Sequence, residues 1–183
     1  LWDKARGTIV NNESADILRM LNSGFGELAD DCVDLYPADL REEIDALNDR
    51  IYPALNNGVY RTGFATTQVA YEEAFREVFA MLDELEDRLA DGRDFLSGDR
   101  FTEADVRLFV TLVRFDVAYH GLFKCNLRRI ADYPALSRYQ ERILAIPGVR
   151  DTVNVDHIKR GYYSIKALNP TGIVPLGPEC SLG

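Results

Sequence analysis

Ser97-Gly98-Asp99-Arg100-Phe101-Thr102-Glu103-Ala104-Asp105-Val106-Arg107-Leu108-Phe109-Val110 is the stretch around which the chain is organised. Thr102 followed three residues later by Asp105 has the form of a capping box. The hydroxyl can take the Asp105 backbone N–H while the carboxylate reaches back to the N–H of Thr102. Phe101 before the cap and Val106 after it are placed as a hydrophobic staple. Beyond the cap, Val106, Phe109, Val110, Val113 and Val117 form one stripe, and Leu108, Leu112, Phe115 and Tyr119 fill much of the remaining circumference. A helix apolar on nearly all sides belongs in the middle of a bundle. Such a cap specifies folding rather than a reaction, so chemistry has to come from elsewhere in the chain.

Downstream of this helix lies a loop with Tyr119, His120, Gly121 and Cys125, then an amphipathic helix from about Pro134 to Ile146 that Pro147-Gly148 stops. Residues 152–163 predict a further helix with Val155, Ile158 and Tyr162 on one side. The closing stretch from Asn169 to Pro178 is too rich in Pro and Gly for regular structure and should lie extended over the surface. Upstream, Phe75, Val78, Phe79, Leu82, Leu85 and Leu89 place a long helix over about 67–90, ended by Asp91-Gly92-Arg93. Before it, Leu40, Ile44, Leu47, Ile51 and Leu55 recur at helical spacing, with Glu42, Glu43, Asp45 and Asp49 opposite. Asn56-Asn57-Gly58 breaks that period, and Val59 to Phe64 is expected to be a short irregular piece.

The N-terminal part reads differently. Leu1 to Val10 suggests two short strands joined by a turn at Gly7, followed by a short helix with Ser14 as its N-cap and Ile17, Leu18 and Leu21 on its apolar side. A lone two-stranded hairpin is marginal in water, and the rest of the sequence offers no third strand. Strand, strand, helix is the closing portion of a thioredoxin-like domain, which predicts that the chain begins inside one. A small hairpin lid lying on the bundle is the alternative. The expected division is a thioredoxin-like remnant over 1–23, a linker over 24–37, an all-helical domain over 38–168 and an extended tail over 169–183. The fold class is therefore mainly α, a helical bundle preceded by a β-β-α remnant.

Composition narrows the function classes. The 183 residues, 46% hydrophobic, can bury one substantial core, and no run of eighteen apolar residues suggests a membrane span. A formal charge of −9 argues against a nucleic-acid surface, which needs a concentrated basic face. Cys32, Cys125 and Cys180 are far apart, odd in number and outside any C-x-x-C pattern, so neither a disulfide framework nor a metal site is expected, and a reducing cytoplasm fits best.

Five residues are candidates for binding and catalysis. A helix N-terminus offers unpaired N–H groups and partial positive charge, so Ser14 could hold a carboxylate while Glu13 holds an ammonium, which suits the amino-acid end of a γ-glutamyl group. Read alone, Glu-Ser before an apolar helix is simply a cap. Tyr60, Tyr119 and Tyr162 stand at helix ends or breaks, where a phenol can face a cleft and hydrogen-bond or protonate a phenolic oxygen. With nine tyrosines in the chain, most are ordinary packing. Cys125 near His120 has no further ligand pattern and reads as a structural thiol. His157 reads as an ordinary surface or packing residue.

The words carrying these residues form a series. Leu1-Trp-Asp-Lys, Thr8-Ile-Val-Asn-Asn-Glu-Ser, Asn56-Asn-Gly-Val-Tyr-Arg-Thr-Gly-Phe-Ala, Arg114-Phe-Asp-Val-Ala-Tyr-His-Gly-Leu-Phe-Lys-Cys-Asn and His157-Ile-Lys-Arg-Gly-Tyr-Tyr together resemble the glutathionyl-hydroquinone reductases, the Xi class of glutathione transferases. The likeness covers nearly the whole chain, and Gly98-Asp-Arg-Phe-Thr-Glu-Ala-Asp-Val resembles the buried central helix of the transferase helical domain. The resemblance implies that Glu13 and Ser14 take the γ-glutamyl end of glutathione as co-substrate, that Tyr60, Tyr119 and Tyr162 line a quinol pocket, and that the protein is a homodimer. It also implies a nucleophilic cysteine in a Cys-Pro motif, stabilised as thiolate at a helix N-terminus. None of the three cysteines here stands before a proline, so this chain by itself is expected to be inactive. Two other functions stay open at this level: a transferase or dehalogenase-like enzyme adding glutathione to electrophiles, and a non-catalytic transferase-like module used in assembly.

Overall fold

A computed structural model describes residues 1–28 and 33–179. Cys32 and Cys180 fall outside the described residues. The architecture is a helical bundle with one small hairpin at its edge. The elements that matter for the site are β1 (Trp2–Asp3), β2 (Thr8–Ile9), α1 (Ser14–Ser23), α2 (Arg41–Ile51), α3 (Gly58–Gly63), α4 (Gln68–Leu89), α5 (Glu103–Arg114), α6 (Pro134–Leu144) and α7 (Val155–Tyr163).

The capping box of α5 forms, and the buried Asp105 carboxylate does more than close a helix. It accepts the Thr102 N–H at 2.8 Å and hydroxyl at 3.0 Å, the Leu96 N–H at 2.8 Å and the Tyr139 hydroxyl at 2.9 Å. Burial pushes this carboxyl above its ordinary range, and those donors oppose the shift. Asp105 thereby ties the Leu96 loop, the start of α5 and the middle of α6 to one point. Phe101 packs edge-on against Phe95 at 5.3 Å.

Leu108, Phe109, Leu112 and Val113 of α5 are buried among Ile44, Leu47 and Ile51 of α2, Val78, Leu82 and Leu85 of α4, and Leu136, Tyr139 and Ile143 of α6. Each such aliphatic side chain contributes about 1.5–3 kcal/mol through removal from water. The expectation that α5 is covered all round fails along one strip. Val110 is exposed and Val106 only half-buried, because that strip looks into a cavity.

α4 starts where the pattern placed it, with Thr67 as N-cap accepting the Ala70 N–H at 3.2 Å. The N-terminus of α6 is capped from a distance, as the Glu86 carboxylate accepts the N–H groups of Ala135 and Leu136 at 2.8 Å each. After α7 the chain turns repeatedly as far as Gly172 and then continues without regular structure, and the buried Lys159 ammonium holds that segment by donating to the carbonyls of Pro175, Leu176 and Gly177.

Three local expectations need correction. Val59 to Phe64 is not irregular: Gly58–Gly63 is a short helix, entered through a π-helical turn at Tyr52–Asn56 that absorbs the break in period. Tyr119 does not lie in a loop, because α5 continues into a second π-helical turn, Phe115–Tyr119, closed by the His120 N–H on the Phe115 carbonyl at 2.8 Å. The N-cap of α1 is Glu13 rather than Ser14. The Glu13 side chain accepts the Ala15 N–H at 3.4 Å, which puts Ser14 at the first helical position. The longer Glu13 carboxylate serves the second N–H of the helix, one of its orphan donors.

β1 and β2 pair antiparallel with Trp2 opposite Ile9 and Asp3 opposite Thr8. Gly7 takes a positive φ of 63° in the turn, and the Asp3 carboxylate accepts the Ala5 and Arg6 N–H groups at 2.9 Å each. Trp2, Ile9 and Val10 are exposed, so the hairpin does not bury itself as a lid on the bundle.

Candidate functional site

Three tyrosines far apart in the sequence meet at their hydroxyls. Tyr60 comes from α3, Tyr119 from the end of the π turn after α5, and Tyr162 from the last turn of α7. The Tyr162 oxygen lies 2.7 Å from that of Tyr60 and 2.8 Å from that of Tyr119. Tyr162 has one proton for two partners, so at least one neighbour must donate to it. The rings are held by Phe123, which stacks on Tyr119 at 5.2 Å and meets Tyr60 and Tyr162 edge-on at 5.2 and 5.8 Å. Gly63 makes that approach possible: a Cβ there would lie 2.4 Å from the Phe123 ring.

Burial, reinforced for Tyr119 by its hydrogen bond to Tyr162, raises both phenols well above the ordinary tyrosine range. Both are therefore neutral donors at physiological pH. A chain of polarised hydroxyls in a partly dry site suits recognition of a phenolic or quinoid oxygen.

The three phenols line a cavity of about 550 Å³ whose other rim is the start of α1: Glu13, Ser14, Ala15 and Leu18. All five residues singled out in the sequence thus face one space, within the size range of small-molecule sites. Glu13 and Ser14 are exposed at the mouth, where a zwitterionic group would reach both a carboxylate and the N-terminus of a ten-residue helix.

The sequence reading missed part of the lining. Arg107, Thr111 and Arg114 of α5 also face the cavity, with Tyr52 and Asn56 of the first π turn. The Asn56 amide donates to the Thr111 hydroxyl at 2.6 Å and to the Arg107 carbonyl at 2.9 Å, locking that turn onto α5. A signal existed. Beyond the acidic first turn of α5, its only polar residues, Arg107, Thr111 and Arg114, recur at i, i+4 and i+7, which marks one polar face. A second cavity of about 690 Å³ shares Tyr60, Val110, Arg114 and Tyr162 with the first, and His157 lines its far side.

Cys125 plays no part in this space. It is buried, and burial pushes its thiol up to about 12, so it is no nucleophile near neutral pH. Among the described residues no group of three His, Cys, Asp or Glu side chains is placed to hold a metal ion, and no helix is long and apolar enough to cross a membrane.

Known proteins resemble this chain along nearly its whole length. Residues 68–142 match the family described as glutathione S-transferase, C-terminal domain. The glutathionyl-hydroquinone reductase PcpF of Sphingobium chlorophenolicum is 59% identical over 179 residues, covering 97% of this chain and 57% of that protein. The glutathione-bound structure of YqjG from Escherichia coli K-12 superposes with a TM-score of 0.95 at 49% identity, over 99% of this chain and 59% of that one. The glutathione-S-transferase Xi of Phanerochaete chrysosporium superposes at 0.93 with 51% identity, over 97% of this chain and 58% of that one. The chain is similar to Xi-class glutathione transferases along nearly its whole length. It spans a little over half the length of the relatives it matches. The bundle has the fold of the helical domain expected from the capping-box stretch.

Proposed function

We propose that the protein carrying this chain reduces glutathionyl-hydroquinones to hydroquinones with glutathione as co-substrate. In this reading residues 1–23 belong to the glutathione-binding domain, 24–37 link it to the helical domain of 38–168, and 169–183 form a surface tail. The observation that carries the reading is the meeting of the Tyr60, Tyr119 and Tyr162 hydroxyls in the same cavity as Glu13 and Ser14. One end of that cavity suits a γ-glutamyl amino acid and the other suits a ring oxygen, which is the outline of a glutathione conjugate of a quinol.

The chemistry needs a thiolate. It attacks the sulfur of the conjugate, forming an S–S bond while the aryl C–S bond breaks and its electron pair goes to the ring carbon, which takes up a proton. A glutathione thiolate then attacks the mixed disulfide, giving oxidised glutathione and freeing the first thiolate. Burial of Cys125 removes it from that role, so the nucleophile lies outside the described residues. Glu13 and Ser14 hold the glutathionyl moiety, and the three neutral phenols orient the ring oxygens and supply a proton.

A homodimer and a reducing, cytoplasmic setting complete the proposal. The setting is supported by cysteines that are odd in number and scattered along the sequence, and the dimer by the family resemblance.

The test is turnover of a glutathionyl-hydroquinone by the whole protein that carries these residues, read as hydroquinone released. Replacing Tyr119 and Tyr162 together by Phe should lower kcat/KM by at least about tenfold, or about 1.4 kcal/mol of transition-state stabilisation. Unchanged turnover would remove the phenols from the mechanism. Conjugation of glutathione to electrophiles without any reductase turnover would favour a generic transferase. Absence of both activities together with no glutathione binding by calorimetry would favour an assembly module.

A further inference from the structure

The helix that brings Glu13 and Ser14 to the cavity has no fully buried residue of its own, yet its position fixes the distance from those residues to the three phenols. Its main polar anchor to the bundle is one side chain, Arg19. The guanidinium forks onto Glu103, with Nε 3.2 and 3.1 Å from the two carboxylate oxygens and Nη2 2.8 Å from Oε1. Nη2 also donates to Asp45 Oδ1 at 2.5 Å, and the guanidinium plane lies 4.0 Å from the Tyr36 ring centroid.

Every partner is held in turn. Glu103 is 2% exposed at the first position of α5, accepts the Asn48 amide at 3.0 Å, and donates its backbone N–H to the Leu35 carbonyl at 2.8 Å. The Tyr36 hydroxyl donates to Asp45 Oδ2 at 2.7 Å. Other Arg–carboxylate pairs, within one helix as in Arg76–Glu72 or between helices as in Arg50–Glu84, leave the carboxylate well exposed to water. Arg19 instead joins α1 to α2, α5 and the segment before α2 through a carboxylate taken out of water. Such a pair needs good geometry to repay desolvation, and it fixes one arrangement against others.

We propose that Arg19, through Glu103, is a positioning residue that sets the separation between the glutathione end of the cavity and its phenol end. The proposal rests on the reading of that cavity given above. Arg19 itself lines a different depression, with Asp16, Asp45, Asn48 and Asp49, and touches neither end of the proposed ligand. A ligand that spans both ends gains from their fixed separation as two tethered ligands gain from a matched linker, whereas a ligand using one end does not.

The experiment is equilibrium binding of glutathione, of hydroquinone and of their conjugate to the whole protein that carries these residues, by calorimetry or NMR titration, with melting curves to show that each variant is folded. The principal variant is Arg19→Met with Glu103→Gln, which removes both charges and leaves no buried carboxylate unpaired. The expected result is that each part binds within about twofold of the unmutated chain while the conjugate weakens by roughly tenfold or more. Arg19→Lys should recover only a fraction, because an ammonium cannot reproduce the fork. Conjugate affinity retained in the folded double variant overturns the proposal, and so does equal weakening of all three ligands, which would mark general loosening. If the double variant does not fold, Asp45→Asn, which spares the Glu103 fork, should give the same pattern at smaller size, and no change there overturns the proposal. Should the unmutated chain bind the conjugate no more tightly than its parts, the reading of the cavity fails first and takes this one with it.

Discussion

Tyr162→Phe tests the phenol cluster without any ligand. The substitution keeps the ring, so the edge-on contacts with Tyr119 at 5.3 Å and Phe123 at 5.8 Å survive. It deletes the oxygen that both other hydroxyls address. Tyr60 is 37% exposed and can turn to water, but Tyr119 is 2% exposed and is left with only the more distant Tyr60 hydroxyl to address. An unsatisfied buried polar group costs about 1–3 kcal/mol, so a loss of about 1–2 kcal/mol is expected. For a chain of this size each kcal/mol lowers Tm by about 2–4 °C.

Tyr119→Phe should cost less, because Tyr162 keeps Tyr60 as a partner. The double Phe variant should be no less stable than Tyr162→Phe alone, since the group that suffered has gone; the cycle then gives a coupling of roughly 1 kcal/mol. Urea unfolding at pH 7 followed by circular dichroism reads all four proteins. Strict additivity, or a Tyr162→Phe protein indistinguishable from the unmutated one, would refute the buried hydroxyl chain. The pH dependence has a definite sign. Both phenols titrate above the ordinary tyrosine value when folded, so their contribution is complete below about pH 10 and is lost as pH rises through the folded values. The alkaline loss should shrink in the double Phe variant.

The Cys125 thiol, pushed up to about 12, should resist iodoacetamide at pH 8 in the folded chain and react fully in urea, read by mass spectrometry of its peptide; labelling of the native protein would contradict its burial. Its contribution to stability should hold below about pH 8.5 and fall as pH climbs towards 12. Gly63→Ala puts a methyl 2.4 Å from the Phe123 ring, which has to shift from beneath the tyrosines. Overpacking of this kind costs about 1–3 kcal/mol, and thermal unfolding should show it; a melting temperature within error of the unmutated chain would mean the ring moves freely.

Much of this protein is written in local pattern. Thr102 and Asp105 announce the start of α5, and the apolar spacing of Phe75 to Leu89 announces α4, because a cap and a helical period are satisfied within a few residues of the chain. Glu13 and Ser14 were legible as a helix start, although which of the two caps was decided by side-chain reach. The short helix at Gly58–Gly63 was not legible. A Gly after two Asn residues reads as a break, and only packing of that segment against α4 makes the helix worthwhile.

The sequence by itself determined where the longer helices run and that α5 stands among them, since periodicity and caps are properties of neighbouring residues. It did not determine that the hydroxyls of Tyr60, Tyr119 and Tyr162 come within hydrogen-bond distance, that Val106 and Val110 face open space, or that Arg19 finds Glu103 across 84 residues. Those facts depend on how elements remote in the chain are stacked and rotated against one another. That arrangement follows from filling one core with all the apolar stripes at once, and no single stripe records it.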